Sequence, residues 1–98
     1  MIATAPEKDE VVREFPIVNQ RGLHARASAK FVQTVEKFDA DLRVTRGGDT
    51  VGGTSIMGLM SLAAACGTDI TVDAVGAEAE AAIAAVEALI SSRFGEDT

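Results

Sequence analysis

Residues 19–31 read NQRGLHARASAKF. Just upstream, Val11 to Val18 (VVREFPIV) is rich in β-branched residues and predicts a strand. Pro16 cannot donate to a ladder, which puts this strand at a sheet edge or at a bulge. Asn19-Gln20-Arg21-Gly22 is turn chemistry. From about His24 the pattern becomes helical: Ala27, Phe31, Val35 and Phe38 recur at helical spacing on one face, with Lys30, Gln33 and Lys37 mostly away from it. The helix should exit at Asp39 or Ala40. The stretch is thus a strand–turn–helix junction, and it carries the single histidine of the chain.

Reading outward, Leu42, Val44 and Thr45 predict a second strand. Arg46-Gly47-Gly48-Asp49 suits a hairpin turn, and Thr50-Val51 returns as a short third strand. After Gly52-Gly53-Thr54-Ser55 comes Ile56-Met57-Gly58-Leu59-Met60-Ser61-Leu62, a second apolar helix expected to end near Gly67. Asp69 to Val75 alternates with period two, as a half-buried strand does. Gly76 introduces a last helix over about 77–94, with Ile83, Val86, Leu89 and Ile90 as its core stripe. Glu78 and Glu80 stand near its positive end, Arg93 near its negative end, and Gly95 is its stop. The order β-α-β-β-α-β-α predicts a two-layer α+β domain, one sheet covered on one face by helices. Residues 1–10 are expected to form a flexible tail, 11–95 the domain and 96–98 a C-terminal tail.

Ninety-eight residues allow one small core. Hydrophobic residues reach 47%, but many are alanine and only four are aromatic, so the core should be thin. A single cysteine, Cys66, allows no internal disulfide and reads as a small packing residue in a protein of the reducing cytoplasm. No apolar run is long enough to insert into a membrane, and the first ten residues lack the pattern of a secretory signal. The net charge of −6 is unevenly spread: residues 19–46 carry +3 and residues 47–98 carry −7. The acidic balance and the few aromatic residues argue against nucleic acid as a partner and against a small RNA-binding domain. The basic segment around His24 is suited to an anion or an acidic partner.

A lone histidine at a helix start is usually an ordinary exposed side chain. Several neighbours give His24 more to do. Helix N-terminal amides lack partners within the helix and carry partial positive charge, so the start of this helix is a plausible anion site. Gly22 lets the backbone approach closely, Ala25 contributes backbone to the same loop, and Arg26 can offer a bidentate pair of donors to phosphate. A phosphoryl group on a His24 ring nitrogen would be met by these donors. No metal site is expected, since there is no second histidine and Cys66 stands alone. The nucleophile-elbow, Walker and dinucleotide glycine patterns are absent. Ser55, after Gly-Gly-Thr and before an apolar helix, reads as an N-cap, worth ~1 kcal/mol. In the helix that follows, Ile56 and Leu59 are expected to face outward as a docking surface, and Met60 and Leu62 to lie in the core.

GLHARAS at 22–28 resembles the active-site signature of HPr, the histidine-containing phosphocarrier family of the bacterial phosphoenolpyruvate-dependent phosphotransferase system. TSIMGLMSL at 54–62 is similar to the regulatory-serine helix of that family, and the two motifs stand at the family's separation. The resemblance covers roughly residues 11–94 and implies an open-faced β-sandwich, a four-stranded antiparallel sheet under three helices. It implies that His24 accepts phosphoryl on Nδ1 from Enzyme I and passes it to an Enzyme IIA-type acceptor, with Arg26 contacting the phosphate. It further implies Ser55 as the target of an HPr kinase/phosphorylase in lineages that have one. Arg21 and Lys30, beside the histidine, would join Ile56 and Leu59 in docking acidic partners. Such a protein is a monomeric, stoichiometric intermediate that needs no cofactor and is not an enzyme with turnover of its own. Ala27 departs from the family, standing where many members have proline. The alternative from another class is a regulatory binding protein acting through the Ser55 helix alone, which has no need of the His24–Arg26 pair.

Overall fold

The computed structural model describes residues 10–98. Their order is β1 (Glu10–Pro16), α1 (Ala25–Val35), β2 (Asp41–Arg46), β3 (Asp49–Gly52), α2 (Ile56–Ser61), β4 (Asp69–Val75) and α3 (Ala79–Ser91), followed by a 3₁₀ turn at Arg93–Gly95. The strands form one antiparallel sheet in the order β1-β4-β2-β3. β1 therefore lies at an edge, one of the two placements that Pro16 allows. Nearly all of the tail expected at residues 1–10 lies outside the described residues; Glu10 already belongs to β1, opposite Val75.

Period-two alternation divides the sheet into two faces. Leu42 and Val44 of β2 and Ile70, Val72 and Ala74 of β4 are buried, with Val11 and Phe15 of β1 beside them. The open face is mainly polar. Across it Arg43 pairs with Asp73 at 3.6 Å, and the hydroxyls of Thr45 and Thr50 lie 2.8 Å apart. The helices cover the other face. In α1 the buried residues Ala27, Ser28, Phe31, Val32 and Val35 make one stripe. In α3 the stripe is Ala79, Ala82, Ile83, Val86 and Ile90, with Leu89 partly buried at its margin. This is the two-layer α+β architecture that the element order predicts.

Several boundaries differ from the sequence reading. β1 ends at Pro16 and not Val18, α1 ends at Val35 and not near Asp39, and three more differ at α3 and α2. α3 begins at Ala79, not Ala77, because Gly76 has a φ of +143° and Glu78 keeps a non-helical φ of −113°. A Cβ on Gly76 would come within 2.8 Å of the Asp39 carbonyl oxygen. The Glu78 amide donates to that same carbonyl (2.9 Å), and the Glu78 carboxylate accepts from the Asp39 amide (2.7 Å). At the far end α3 stops at Ser91, and Arg93 and Phe94 take left-handed φ values of 59° and 55°. That conformation costs roughly 1–2 kcal/mol per residue. It is offset by burying Phe94 completely and by the Lys30 ammonium, which donates to the Phe94 carbonyl at 2.6 Å. Finally, α2 ends at Ser61, well short of Gly67. Ala63 turns left-handed (φ 52°), and the Arg46 guanidinium donates to the Leu62 carbonyl at 3.2 Å.

The outward face of α2 also needs correction. Ile56 is exposed as expected, but Leu59 is fully buried and Met60 is 40% exposed; Leu62 is in the core. At 100° per residue, Ile56, Met57 and Met60 share one side of the helix and Leu59 and Leu62 the other. The apolar pattern runs all round α2 and does not say which side meets the sheet. Cys66 is likewise exposed, not packed. The early end of α2 leaves it in a turn closed by the Thr68 amide donating to the Ala65 carbonyl (3.0 Å). Leu59→Ala should lower stability by about 2–5 kcal/mol, whereas Met57→Ala should change it by less than about 0.5 kcal/mol. Urea unfolding of the two variants measures the contrast, and equal losses would contradict this placement.

Candidate functional site

The loop between β1 and α1 is tied down at several points. On leaving β1 the Ile17 amide donates to the Thr68 carbonyl (2.8 Å), and the Gly67 amide donates back to the Ile17 carbonyl (2.9 Å). Asn19 is completely buried. Its side-chain nitrogen donates to the Gly22 carbonyl at 2.8 Å, while the Gly22 amide donates to the Asn19 carbonyl at 3.1 Å. Gly22 has a φ of +70°, and a Cβ there would lie 2.5 Å from the Ala64 carbonyl oxygen. Only glycine fits both the angle and the space. The same Ala64 oxygen accepts the Leu23 amide at 2.9 Å. The loop thus rests on backbone that follows α2, and Leu23 is buried there.

His24 follows as the N-cap of α1, with extended backbone (φ −75°, ψ −177°). Its carbonyl accepts the first helical bond, from the Ser28 amide at 2.8 Å, and its ring Nδ1 accepts from the Arg26 amide at 3.2 Å. An imidazole nitrogen here takes the capping part that Ser, Asp or Asn oxygens usually play. Ser28, fully buried, donates its hydroxyl to the Leu23 carbonyl (3.2 Å) and holds the first turn against the loop. Nδ1 therefore faces the amide end of α1, where the Ala25 amide belongs to the same unbonded first turn. Arg21 and Arg26 are exposed, and among the described residues neither forms an ion pair. Arg21, Leu23 and His24 line a shallow depression of about 210 Å³ with Ala63, Ala64 and Ala65.

The other ring nitrogen has a partner from the far end of the chain. His24 Nε2 meets the Glu96 carboxylate through Oε2, and the second oxygen, Oε1, accepts from the Asn19 side-chain nitrogen at 3.1 Å. Both groups are largely shielded, with side-chain exposures of 18% for His24 and 15% for Glu96. The Gln20 amide donates to the Thr98 carbonyl at 2.9 Å, so the last three residues lie along the loop. Desolvation of Glu96 favours its neutral acid. The hydrogen bonds from His24 and Asn19, the charge of the ring whenever it is protonated, and the charge of Arg21 outweigh that effect. The carboxyl is held below the usual carboxylate range.

The structure thus brings Gly22, His24, Ala25, Arg21 and Arg26 together. Lys30 lies on the same helix but holds the Phe94 carbonyl. Ser55 caps α2, its hydroxyl oxygen accepting the Gly58 amide at 3.0 Å, and the residue is exposed. Leu59, buried beneath α2, presents no surface to a partner. Sequence reasoning missed two members of the site. Asn19 reads as an ordinary turn former, and Glu96 as part of a tail. Among the described residues no His, Cys, Asp and Glu group is arranged to hold a metal, and no helix is long and apolar enough to cross a membrane.

Comparison with known proteins supplies the context for this geometry. The model of the family described as "PTS HPr component phosphorylation site" matches residues 11–92. The chain is 50% identical over 80 residues to a phosphocarrier protein HPr of Neisseria meningitidis, covering 82% of this chain and 90% of the relative. It is 44% identical over 84 residues to the phosphocarrier protein HPr of Cupriavidus necator, covering 86% and 94%. Among solved structures, an HPr from Thermoanaerobacter tengcongensis superposes with a TM-score of 0.85 at 41% identity, covering 90% of this chain and 99% of that one.

A lowered Glu96 pKa fixes the sign of one pH effect. The carboxylate contact contributes stability that is complete above the ordinary carboxylate pKa and is lost as pH falls through the lowered folded value. Thermal unfolding at a series of pH values within the acidic, carboxylate range should show the advantage of the wild type over Glu96→Ala shrinking on acidification. An advantage that persists undiminished through that range would contradict the pairing.

Proposed function

The chain belongs to the HPr family of phosphocarrier proteins of the phosphotransferase system, and on that premise we propose that His24 is its phosphoryl-accepting residue. The observation that carries the reading is the position of Nδ1, at the amide end of α1 beside the Arg26 N–H. In the reaction the Nδ1 lone pair attacks phosphorus. A P–N bond forms as the bond from phosphorus to the donor breaks, and the electron pair leaves with the donor. The Arg26 amide, which donates to Nδ1 in the free protein, is then available to a phosphoryl oxygen. The Ala25 amide belongs to the same first turn, and the exposed Arg26 guanidinium is free to reach the phosphoryl oxygens, where a charge-assisted bond is worth about 1.5–3 kcal/mol. The depression beside His24 is shallow, which suits a carrier that must give the group up again.

Enzyme I is the donor in this reading and an Enzyme IIA-type protein the acceptor, with the carrier acting stoichiometrically in the cytoplasm. Arg21 and Arg26 supply the basic part of the docking surface, and Ile56 supplies the apolar part together with Met57 and Met60. Leu59 has no place in it. Ser55 is the proposed site of regulatory phosphorylation by an HPr kinase/phosphorylase. Its phosphate would add negative charge beside that apolar face and act on partner binding.

Incubation with Enzyme I and phosphoenolpyruvate tests the assignment. The wild type should acquire an acid-labile phosphoryl adduct that His24→Ala cannot form, and an undiminished adduct on His24→Ala would refute the role of His24. Arg26→Ala should stay folded and transfer about 10- to 100-fold more slowly, the cost of one bond to a charged group.

A further inference from the structure

Glu96 lies 72 residues from His24 in sequence, yet its carboxylate is the only partner of the Nε2 nitrogen among the described residues. Its orientation is fixed from behind. The Asn19 atom that donates to Oε1 also donates to the Gly22 carbonyl. Both of those partners are acceptors, so that atom is the amide nitrogen. Asn19 itself is fully buried within the loop that carries His24. Backbone pairing of Gln20 with Thr98 holds the segment in place, and the left-handed turn at Arg93 and Phe94 directs it there. One chain of contacts therefore runs from a buried amide through a carboxylate to the imidazole.

We propose that Glu96, held by Asn19, is a positioning residue for phosphoryl transfer: it fixes the His24 ring with its proton on Nε2 and leaves Nδ1 as the nucleophile. The proposal rests on the reading of Nδ1 as the phosphoryl acceptor. A carboxylate facing Nε2 can only accept, and the Arg26 amide facing Nδ1 can only donate. The two together favour one tautomer of the neutral ring. When Nδ1 gives its lone pair to phosphorus, both ring nitrogens become substituted and the ring acquires positive charge. The proton stays on Nε2 throughout. Glu96 then faces a cation in place of a neutral ring, so its attraction strengthens as the P–N bond forms. On hand-off the pair returns to Nδ1 and the charge disappears.

Substitution by glutamine tests this sharply. Asn19 requires an oxygen from residue 96, and so does Nε2–H, but a glutamine amide has only one. Glu96→Gln therefore sets a donor against a donor at one of the two contacts while barely changing shape. Glu96→Asp retains the charge one methylene short. The ¹⁵N chemical shifts of His24 in the unphosphorylated protein read the tautomer without any phosphotransfer assay. The wild type should hold the proton predominantly on Nε2. Glu96→Gln and Glu96→Ala should lose that preference, and Glu96→Asp should recover part of it. Phosphorylation by Enzyme I should slow about tenfold in Glu96→Ala at saturating Enzyme I, with KM for Enzyme I unchanged. Unaltered tautomer populations in both Gln and Ala variants would overturn the proposal, as would altered tautomers with wild-type transfer rates. A wild-type protein that takes no phosphoryl on His24 would overturn the carrier reading and the transfer role with it. The tautomer measurement would still report whether Glu96 orients the ring.

Discussion

The hydrogen bond from the Leu23 amide to the Ala64 carbonyl is the contact on which the site depends. It joins the residue before His24 to the segment after α2, and it forces Gly22 to be a glycine, since any Cβ would strike that same oxygen. With the loop seated, Leu23 buries its side chain and the next residue must begin α1. His24 is therefore placed by backbone geometry, and its ring is directed by the two groups that meet its nitrogens. A single bond between loop segments thus relates the edge strand β1, the helix α1 and the loop after α2. The proposed reaction uses this rigidity: little needs to move when a phosphoryl group arrives or leaves.

Much of this was legible in the residues themselves. Period-two alternation over 69–75 marks β4 with its bounds as observed, and Gly47-Gly48 marks the β2–β3 turn. The change of period after Asn19-Gln20-Arg21-Gly22 locates the start of α1 within a residue. The two motifs at 22–28 and 54–62 carry the family likeness. What could not be read has physical causes. α2 is a helix of six residues with apolar groups on every side, so its spacing fixes which residues share a face but not which face is inward. The bounds of α3 were overrun because alanine and glutamate favour helix on both sides of the true start. The breaks come from left-handed or extended backbone at Gly76, Glu78, Arg93 and Phe94. The exposed Cys66 follows from the same early end of α2.

Glu96 shows a different limit. Its place is set by topology: β4 lies antiparallel to β1, so its first residues sit beside the end of β1. α3 follows β4 and packs on both strands, and a helix returning along β4 finishes near the loop that leaves β1. A carboxylate just past that helix was thus bound to fall near His24, but only knowledge of the strand order reveals it. The charge pattern pointed the other way, since the basic segment holds the histidine and Glu96 belongs to the acidic residues 47–98. One acid from that segment closes on the basic loop, and it lies among Arg21, Asn19 and His24.

The central claim is that the two nitrogens of His24 have separate duties, Nδ1 reacting and Nε2 held by Glu96. The most direct measurement is ³¹P and ¹⁵N NMR of the protein phosphorylated through Enzyme I, which identifies the substituted atom. This account predicts a phosphoryl group on Nδ1 of His24 with the proton retained on Nε2. Phosphorylation at Nε2, or on any residue other than His24, would contradict it.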